Sequence, residues 1–319
     1  MKKVLITGIS GFAGSHLAEF LATQRKYSVS GTYLLEESIG NISGLKNKIK
    51  LVKVDLTKEK GVNGLIRSTE PDYVFHLAAL TSPAASFKNP LATIENNIAG
   101  EMNLLSAIKD NNLFDTRILI TSSAEVYGLV KKENLPIDED TELRPSSPYA
   151  VSKIAQDFLG LQYFLSNNLK VIRVRPFNHI GPRQSSDLVV AGFARKIAEI
   201  EKGKSDPVIL VGNLEAKRDF TDARDMVRAY VLAIEKGNFG EVYNIGSGKS
   251  YKISEVLDKL LKLSKVKIKI QIDKSRLRPI DIPELLCDAT KFKKLTNWKP
   301  EIPIEITLKD TLDYWRSIV

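Results

Sequence analysis

The stretch Lys3-Val4-Leu5-Ile6-Thr7-Gly8-Ile9-Ser10-Gly11-Phe12-Ala13-Gly14 decides the fold. Lys3 to Ile6 is a short run of branched apolar residues and predicts a buried strand. Leu17, Phe20 and Leu21 recur at helical spacing within Ser15 to Gln24 and predict a helix. Between them, Gly8, Gly11 and Gly14 are spaced Gly-x-x-Gly-x-x-Gly. Glycines at that spacing let the backbone turn sharply and let a pyrophosphate approach with no Cβ in the way. The free N–H groups of the new helix then face the phosphate.

Composition sets outer bounds. A chain of 319 residues with 43% hydrophobic content has room for two domains or one large domain with a lobe. Cys287 is the single cysteine, so no disulfide can form within the chain, which fits a reducing compartment. Glycines interrupt the N-terminal apolar run, and no apolar run approaches membrane-spanning length. The expectation is a soluble, cytoplasmic protein with no membrane partner. The net charge of +9 comes from basic residues that are scattered and not interleaved with aromatics. That pattern reads as a solvated surface that also draws in a small anionic substrate, not as a nucleic-acid site. No metal site is expected.

Further strands are predicted at Val29–Tyr33, Lys50–Val54, Tyr73–Leu77, Arg117–Thr121 and Lys170–Val174, with a long helix over Leu91–Asn111. Strands alternating with helices imply βαβ units: an α/β, Rossmann-type, doubly wound parallel sheet with ligands beyond the carboxyl ends of its strands. An acidic residue after the second strand would mark NAD, and an arginine just beyond would mark NADP. The stretch Gly31-Thr32-Tyr33-Leu34-Leu35-Glu36-Glu37 places neither, so both remain open. Ala78 and Ala79, after the fourth strand, are small enough for a flat cofactor to lie against the backbone. His76 within that strand reads as an interior histidine. From Arg175 the pattern turns irregular, with Pro176, Gly181 and Pro182, and marks entry into a smaller, discontinuous α/β lobe. Short strands at Val208–Val211 and Val242–Ile245 flank a helix over Asp222–Glu235. A helix at Ser254–Leu263, an alternating strand at Val266–Ile272 and a last helix at Ile306–Ile318 follow. The expected division is 1–174 plus about 219–245 for the cofactor domain, and about 175–218 and 246–319 for the lobe.

The chemistry-bearing stretch is Ser147-Pro148-Tyr149-Ala150-Val151-Ser152-Lys153. Ser147 can cap a helix and Pro148 suits its first position. Tyr149 and Lys153 are four apart, so both lie on one helix face. A free tyrosine, with a pKa of about 10, is a poor proton donor and acceptor at neutral pH. A neighbouring ammonium and the positive helix start are expected to bring it down. The strand ending Thr121-Ser122-Ser123 adds a hydroxyl for the reacting oxygen. A second Tyr-x-x-x-Lys, Tyr127 to Lys131, contains Gly128 and reads as accidental. Ser123, Tyr149 and Lys153 suit hydride exchange at an alcohol or ketone carbon, Tyr149 moving the matching proton.

The opening Thr7-Gly8-x-x-Gly11-Phe12-x-Gly14 resembles the extended branch of the short-chain dehydrogenase/reductase family. Four blocks resemble its nucleotide-sugar enzymes: Thr121 to Gly128, Tyr149-x-x-x-Lys153, Arg175 to Pro182, and Gly212 to Asp222. The last two, with Arg276-Leu277-Arg278-Pro279, are most similar to GDP-4-keto-6-deoxy-mannose reductases, relatives of the GDP-mannose 4,6-dehydratases. The resemblance implies NAD or NADP held by Gly8, Ser10, Gly11, Phe12, Gly14, Asp55, Leu56, Leu77, Ala78, Ala79, Tyr149, Lys153 and Pro176. It implies a nucleotide sugar, a GDP-sugar above all, held by Asn178, Val189, Arg218, Arg278 and Asp281. Asp55 as a bare residue equally suits a helix cap, and Asn97 resembles the family's structural asparagine. Paired guanidiniums at a diphosphate make chemical sense. Catalysis falls to Ser123, Tyr149 and Lys153, with Glu125 the base that removes the C5 proton if the enzyme dehydrates. The implied reaction is reduction to GDP-rhamnose, with dehydration of GDP-mannose the alternative. A 4-epimerase or a non-catalytic cofactor sensor is more remote. The helices Leu91–Asn111 and Tyr149–Asn168 are expected to pair across a two-fold in a four-helix homodimer contact.

Overall fold

The computed structural model describes residues 1–45, 47–277 and 282–319. Arg278 and Asp281, both expected at the substrate, lie outside the described residues. The first half alternates strand and helix: β1 Lys2–Thr7, α1 Phe12–Ala22, β2 Tyr27–Tyr33, β3 Ile49–Lys53, α2 Glu59–Thr69, β4 Tyr73–His76, α3 Pro83–Lys88, α4 Pro90–Asp110, β5 Arg117–Thr121, α5 Pro148–Asn167 and β6 Lys170–Pro176. The second half runs β7 Asn178–Ile180, α6 Val189–Glu201, β8 Val208–Val211, β9 Lys217–Asp222, α7 Ala223–Lys236, β10 Val242–Ile245, β11 Ser250–Lys252, α8 Ile253–Lys262, β12 Lys269–Ile272, β13 Glu284–Leu285, α9 Thr290–Thr296 and α10 Ile304–Ile318.

Seven strands form one sheet in the order β10-β6-β5-β4-β1-β2-β3. Every pairing in it is parallel. Order reverses at β1, so its carboxyl end, where the glycine loop begins, opens onto the crevice of a doubly wound sheet. Val4, Leu5 and Ile6 are at most 1% exposed because β2 and β4 flank them and helices cover both faces. Fully burying each such side chain contributes roughly 1.5–3 kcal/mol. One face packs on α1 and α7 through Leu17, Leu21, Met226 and Ile234. The other packs on α2, α4 and α5 through Leu65, Leu104 and Ile108.

Local sequence explains the helix starts. α3, α4 and α5 each have proline in the first turn and a side-chain cap: Ser82, Asn89 and Ser147 accept from the N–H of Ala85, Ala92 and Ala150. α1 begins at Phe12, not at the expected Ser15. Gly11 serves as its N-cap without a side-chain hydrogen bond, so the helix starts directly out of the turn.

The remaining strands form two smaller sheets. β9 pairs with β7, β11 and β13, and β12 pairs with β8. Their core is built by α6, α8 and α10 through Phe193, Leu257, Leu260, Leu308 and Leu312. β9 therefore lies with the lobe, and the chain returns to the large sheet only at α7, whose N-cap Asp222 accepts from the N–H of Arg224 and from Thr307 Oγ1. The strand expected over 266–272 is shorter, Lys269–Ile272, and exposed throughout. Its partner among the described residues, β8, offers four residues of pairing, and the lysines before Lys269 remain in solvent.

Beneath the sheet's carboxyl edge sits a buried ionic knot. Asp157 of α5 accepts from Arg173 Nη1 at 2.5 Å and Arg175 Nε at 2.7 Å, with its side chain 0% exposed. Arg175 also donates to Tyr127 Oη at 3.0 Å, and that hydroxyl donates to Asn244 Oδ1 at 2.7 Å. Tyr127, the first residue of the second Tyr-x-x-x-Lys, is thus a core residue fastening β6 to β10.

Candidate active site

One cleft of about 2190 Å³ runs along the carboxyl edge of the large sheet and on between the lobe's β8, β9 and α6. A drug-sized ligand fills roughly 300–1,000 Å³, so this cleft has room for a dinucleotide and a second nucleotide together.

Its floor at one end is the glycine loop, with Gly8, Ser10, Gly11, Phe12 and Gly14 lining it. Gly8 has φ +69°, and a Cβ there would sit 2.9 Å from Ala78 Cα. A Cβ on Gly14 would sit 2.2 Å from the Gly8 carbonyl oxygen. Only glycine fits this turn, and what it leaves is a backbone cradle at the uncapped start of α1. Those N–H groups have no intrahelical partner, so the cradle fits a diphosphate. Thr7 Oγ1 accepts from the N–H of Leu77 at 3.1 Å and of Ala78 at 3.2 Å, holding the β4 loop against the glycine turn. Leu77, Ala78 and Ala79 line the cleft there, with Asp55 and Leu56. The Asp55 carboxylate accepts from Thr57 N and Oγ1, which lowers its pKa, so it caps a turn while bordering the cleft. Beyond β2 the lining is Tyr33, Leu34, Leu35, Ser38 and Asn41. The sequence stretch Gly31 to Glu37 passes through this end, with neither the NAD nor the NADP marker in its expected place. Asn97 accepts from the N–H of Leu80 at 2.7 Å and donates to Ser152 Oγ at 2.9 Å, tying α4 to the β4 loop and α5.

Ser123, Glu125, Tyr149 and Lys153 come together in the middle of the cleft. Ser123 follows β5 and its hydroxyl accepts from the Glu125 N–H at 3.2 Å. Tyr149 sits in the first turn of α5, its N–H donating to Ser86 Oγ at 3.1 Å. Burial pushes the Tyr149 phenol up to about 12, with the Ser123 hydroxyl opposing and the Glu125 charge adding. This reverses the expectation that Lys153 brings the phenol down. The Lys153 ammonium donates instead to the Thr121 carbonyl and Gln156 Oε1, each at 2.8 Å. Burial lowers Lys153 to about 8, and the Glu101 carboxyl opposes that shift. Glu101, 0% exposed on α4, is itself driven well above the carboxylate range by burial, with Lys153 opposing.

A chain of side chains continues behind the lysine. Gln156 Nε2 meets His76 Nε2 at 3.3 Å, and His76 Nδ1 meets Thr7 Oγ1 at 3.0 Å. His76 is held neutral, near 3, first by burial and then by the Lys153 charge. It is an interior histidine with both ring nitrogens engaged. Glu101 and Gln156 escape a sequence reading because the fold alone brings α4 and α5 together.

The far part of the cleft carries Pro176, Asn178, Val189 and Arg218. Asn178 Oδ1 is buried without a protein partner among the described residues. Arg218 is 8% exposed and donates to the Ile282 carbonyl at 2.7 Å and the Lys217 carbonyl at 2.8 Å. Next to the glycine loop, Phe12 stacks on His179 with centroids 5.5 Å apart. Arg183, at φ +73°, clasps α1 by donating to Glu19 and to His16 Nδ1.

A parallel sheet reversing at a glycine cradle, with serine, tyrosine and lysine converging at its carboxyl edge, defines an extended short-chain dehydrogenase/reductase. Within that class, the model of the family described as GDP-mannose 4,6 dehydratase matches residues 5–311. This chain belongs to that family. It is 35% identical to the GDP-6-deoxy-D-mannose reductase of Pseudomonas aeruginosa, over all of this chain and 98% of that protein. It is 29% identical to the GDP-mannose 4,6-dehydratase of Yersinia enterocolitica, over 96% of this chain and 91% of that one. The solved structure of RMD from Pseudomonas aeruginosa complexed with NADPH superposes with a TM-score of 0.87 at 33% identity, over 100% of both chains. No helix among the described residues is long and apolar enough to cross a membrane.

Proposed function

We propose that this protein reduces the C4 ketone of GDP-4-keto-6-deoxy-mannose to the alcohol of GDP-rhamnose, with NADH or NADPH as reductant. The observation that carries this reading is the convergence of Ser123, Tyr149 and Lys153 in one cleft, where burial raises the Tyr149 phenol so that it keeps its proton. Full-length likeness to a reductase supports it. The glycine cradle, Asp55 and Ala78 hold the dinucleotide, which when bound supplies the hydride. Ser123 and Tyr149 orient the ketone oxygen by hydrogen bonds. Tyr149 gives its proton to that oxygen as C4 becomes an alcohol carbon. Lys153, tied to the Thr121 carbonyl and Gln156 Oε1, would hold a cofactor ribose hydroxyl. Asn178 and Arg218 bind the diphosphate side of the substrate, where the resemblance also assigns Arg278; it assigns Asp281 to the nucleoside ribose, and Val189 completes the substrate set.

Dehydration of GDP-mannose is the second reading. Glu125 supports it, since it lines the cleft and its charge reaches the Tyr149 phenol. A mass-spectrometric assay separates the two. Gain of two hydrogens on the keto-sugar, with cofactor consumed, establishes the reductase. Loss of water from GDP-mannose without net cofactor use establishes the dehydratase, and Glu125→Gln then abolishes it.

The same reading includes a cytoplasmic homodimer in which α4 and α5 pair across a two-fold. Val151, Phe158 and Leu165 on α5, and Leu91 and Met102 on α4, support the pairing because all are exposed. Phe158→Glu combined with Leu165→Glu is then expected to yield monomers in sedimentation.

A further inference from the structure

Side-chain hydrogen bonds run without a break from Lys153 to the glycine turn. The Lys153 ammonium donates to Gln156 Oε1 at 2.8 Å, Gln156 Nε2 meets His76 Nε2 at 3.3 Å, and His76 Nδ1 meets Thr7 Oγ1 at 3.0 Å. All four residues are at most 4% exposed. An ammonium has only donors, so a charged Lys153 requires the amide to present Oε1 to it. The NH₂ end then faces His76, whose Nε2 must accept. His76 is neutral, held near 3 by burial and then by the Lys153 charge, so it carries one ring proton. That proton is therefore on Nδ1 and is donated to Thr7 Oγ1.

Thr7 is badly served by this arrangement. Its oxygen already accepts from the N–H groups of Leu77 and Ala78, and a hydroxyl has two acceptor lone pairs. Three donors then crowd one oxygen, while the hydroxyl hydrogen has no acceptor along the relay. Reversing every bond relieves Thr7. Its hydroxyl then donates to His76 Nδ1, His76 Nε2 donates to an amide turned over to present Oε1, and the amide NH₂ donates to the lysine nitrogen. Only a lysine with a free lone pair, an uncharged amine, can accept that last bond.

We propose that Gln156 is a positioning residue for Lys153, and that the relay from Lys153 through Gln156 and His76 to Thr7 runs in one direction while the lysine is charged and in the opposite direction once it is neutral. The charge on Lys153 is thereby registered at Thr7, which holds the β4 loop against the glycine turn. The part Lys153 plays in turnover rests on the reductase reading above. The other titratable groups around the relay are Glu101 on α4 and, on α5 itself, Tyr149 and Asp157, the last paired with Arg173 and Arg175 of β6. Glu101 opposes the burial that lowers Lys153 to about 8, and the Gln156 amide favours the charged form of Glu101, as its NH₂ end would.

The protein has three histidines, so nitrogen NMR on isotope-labelled histidine reads each tautomer, with His16→Gln and His179→Gln identifying His76 by elimination. Wild type is compared at about pH 6.5 and about pH 9.5, either side of the Lys153 value of about 8. His76 should carry its proton on Nδ1 at the lower pH and on Nε2 at the higher. Gln156→Glu keeps an acceptor for Lys153 but has no hydrogen for His76. Its His76 should carry the proton on Nε2 at both pH values, with reduction of the keto-sugar retained and the alkaline limb of kcat/KM moved upward by the added carboxylate. Gln156→Leu removes the acceptor, so kcat should fall roughly ten-fold and the alkaline limb should move down by about one unit, the effect of one hydrogen bond to a charged group. A proton on Nε2 at the lower pH in wild type, or one tautomer at both pH values, overturns the proposal. So does wild-type kcat with an unmoved alkaline limb in Gln156→Leu. Should that variant not fold, an Nδ1 proton in Gln156→Glu overturns it instead. Tautomers as expected, with no reduction of the keto-sugar by wild type, would fail the reductase reading and leave the relay standing.

Discussion

Lys153 is fastened to the end of β5, its ammonium donating to the Thr121 carbonyl at 2.8 Å. The lysine is therefore a fixed charge between two helices, α4 and α5, and a strand end. It contributes by holding position as much as by holding charge.

Tyr149→Phe removes the proton donor but leaves the ring, and the backbone hydrogen bond from residue 149 to Ser86 Oγ is kept. Turnover should fall by a factor of about 10²–10⁴ or more, the range general acid catalysis supplies, while cofactor affinity stays near wild type. Steady-state kinetics alongside NADPH titration measure both. Wild-type turnover in this variant would remove Tyr149 from the mechanism.

Glu101→Gln tests the charge behind the lysine. The Glu101 carboxyl opposes the burial that lowers Lys153 to about 8. Burial raises Glu101's own pKa well above the carboxylate range, so the variant loses that opposition only at the alkaline pH where Glu101 has ionised, and there Lys153 should lose its proton at lower pH. The alkaline limb of the kcat/KM profile should move downward in pH, with little change in the melting temperature at neutral pH. An unmoved limb would show that Glu101 is only packing.

Asp157→Asn leaves Arg173 and Arg175 buried without their shared carboxylate. Removing one partner of a buried ion pair costs about 3–5 kcal/mol, and urea unfolding should show a loss of that order. The shape of the side chain is unchanged, so a lost cavity-filling group is not an alternative cause.

His16 sets an acid limb. Burial and the Arg183 charge lower it to about 4. Its folded pKa lies below its ordinary value of about 6.5, so the unfolded chain takes up the proton first as pH falls. Its contribution is intact above about pH 6.5 and is lost toward pH 4, at about 1.4 kcal/mol per pH unit. Between pH 6 and pH 4.5, wild type should lose more stability than His16→Gln. Parallel stability curves would contradict this.

Arg218→Ala should weaken GDP-mannose binding far more than NADPH binding. Calorimetric titration of each ligand makes the comparison, and equal losses would argue against a diphosphate role for this guanidinium.

The parts of this site that are legible in the sequence are those encoded by near neighbours. Gly8, Gly11 and Gly14 reveal the cradle because turn, close approach and helix start follow one another in the chain. Tyr149 and Lys153 reveal themselves because four residues is one helical step. Ser123 follows from the strand that delivers it. The sign of the Tyr149 shift is not legible, since burial by distant elements outweighs the lysine four residues away. Glu101 and Gln156 carry no local motif and reach the site only when α4 and α5 settle around the sheet. β7, β11 and β13 span only two or three residues each, too few to show a period.

The chain passes from the large sheet to the lobe after β6, returns at Asp222, and leaves again after β10. The lobe is thus woven from separate lengths of chain, not hung from a single stem. Grafting another relative's lobe onto this sheet would mean cutting and rejoining the chain at three places. A change of sugar preference is reached most directly by individual substitutions in β7, α6 and β9, with the weave left intact.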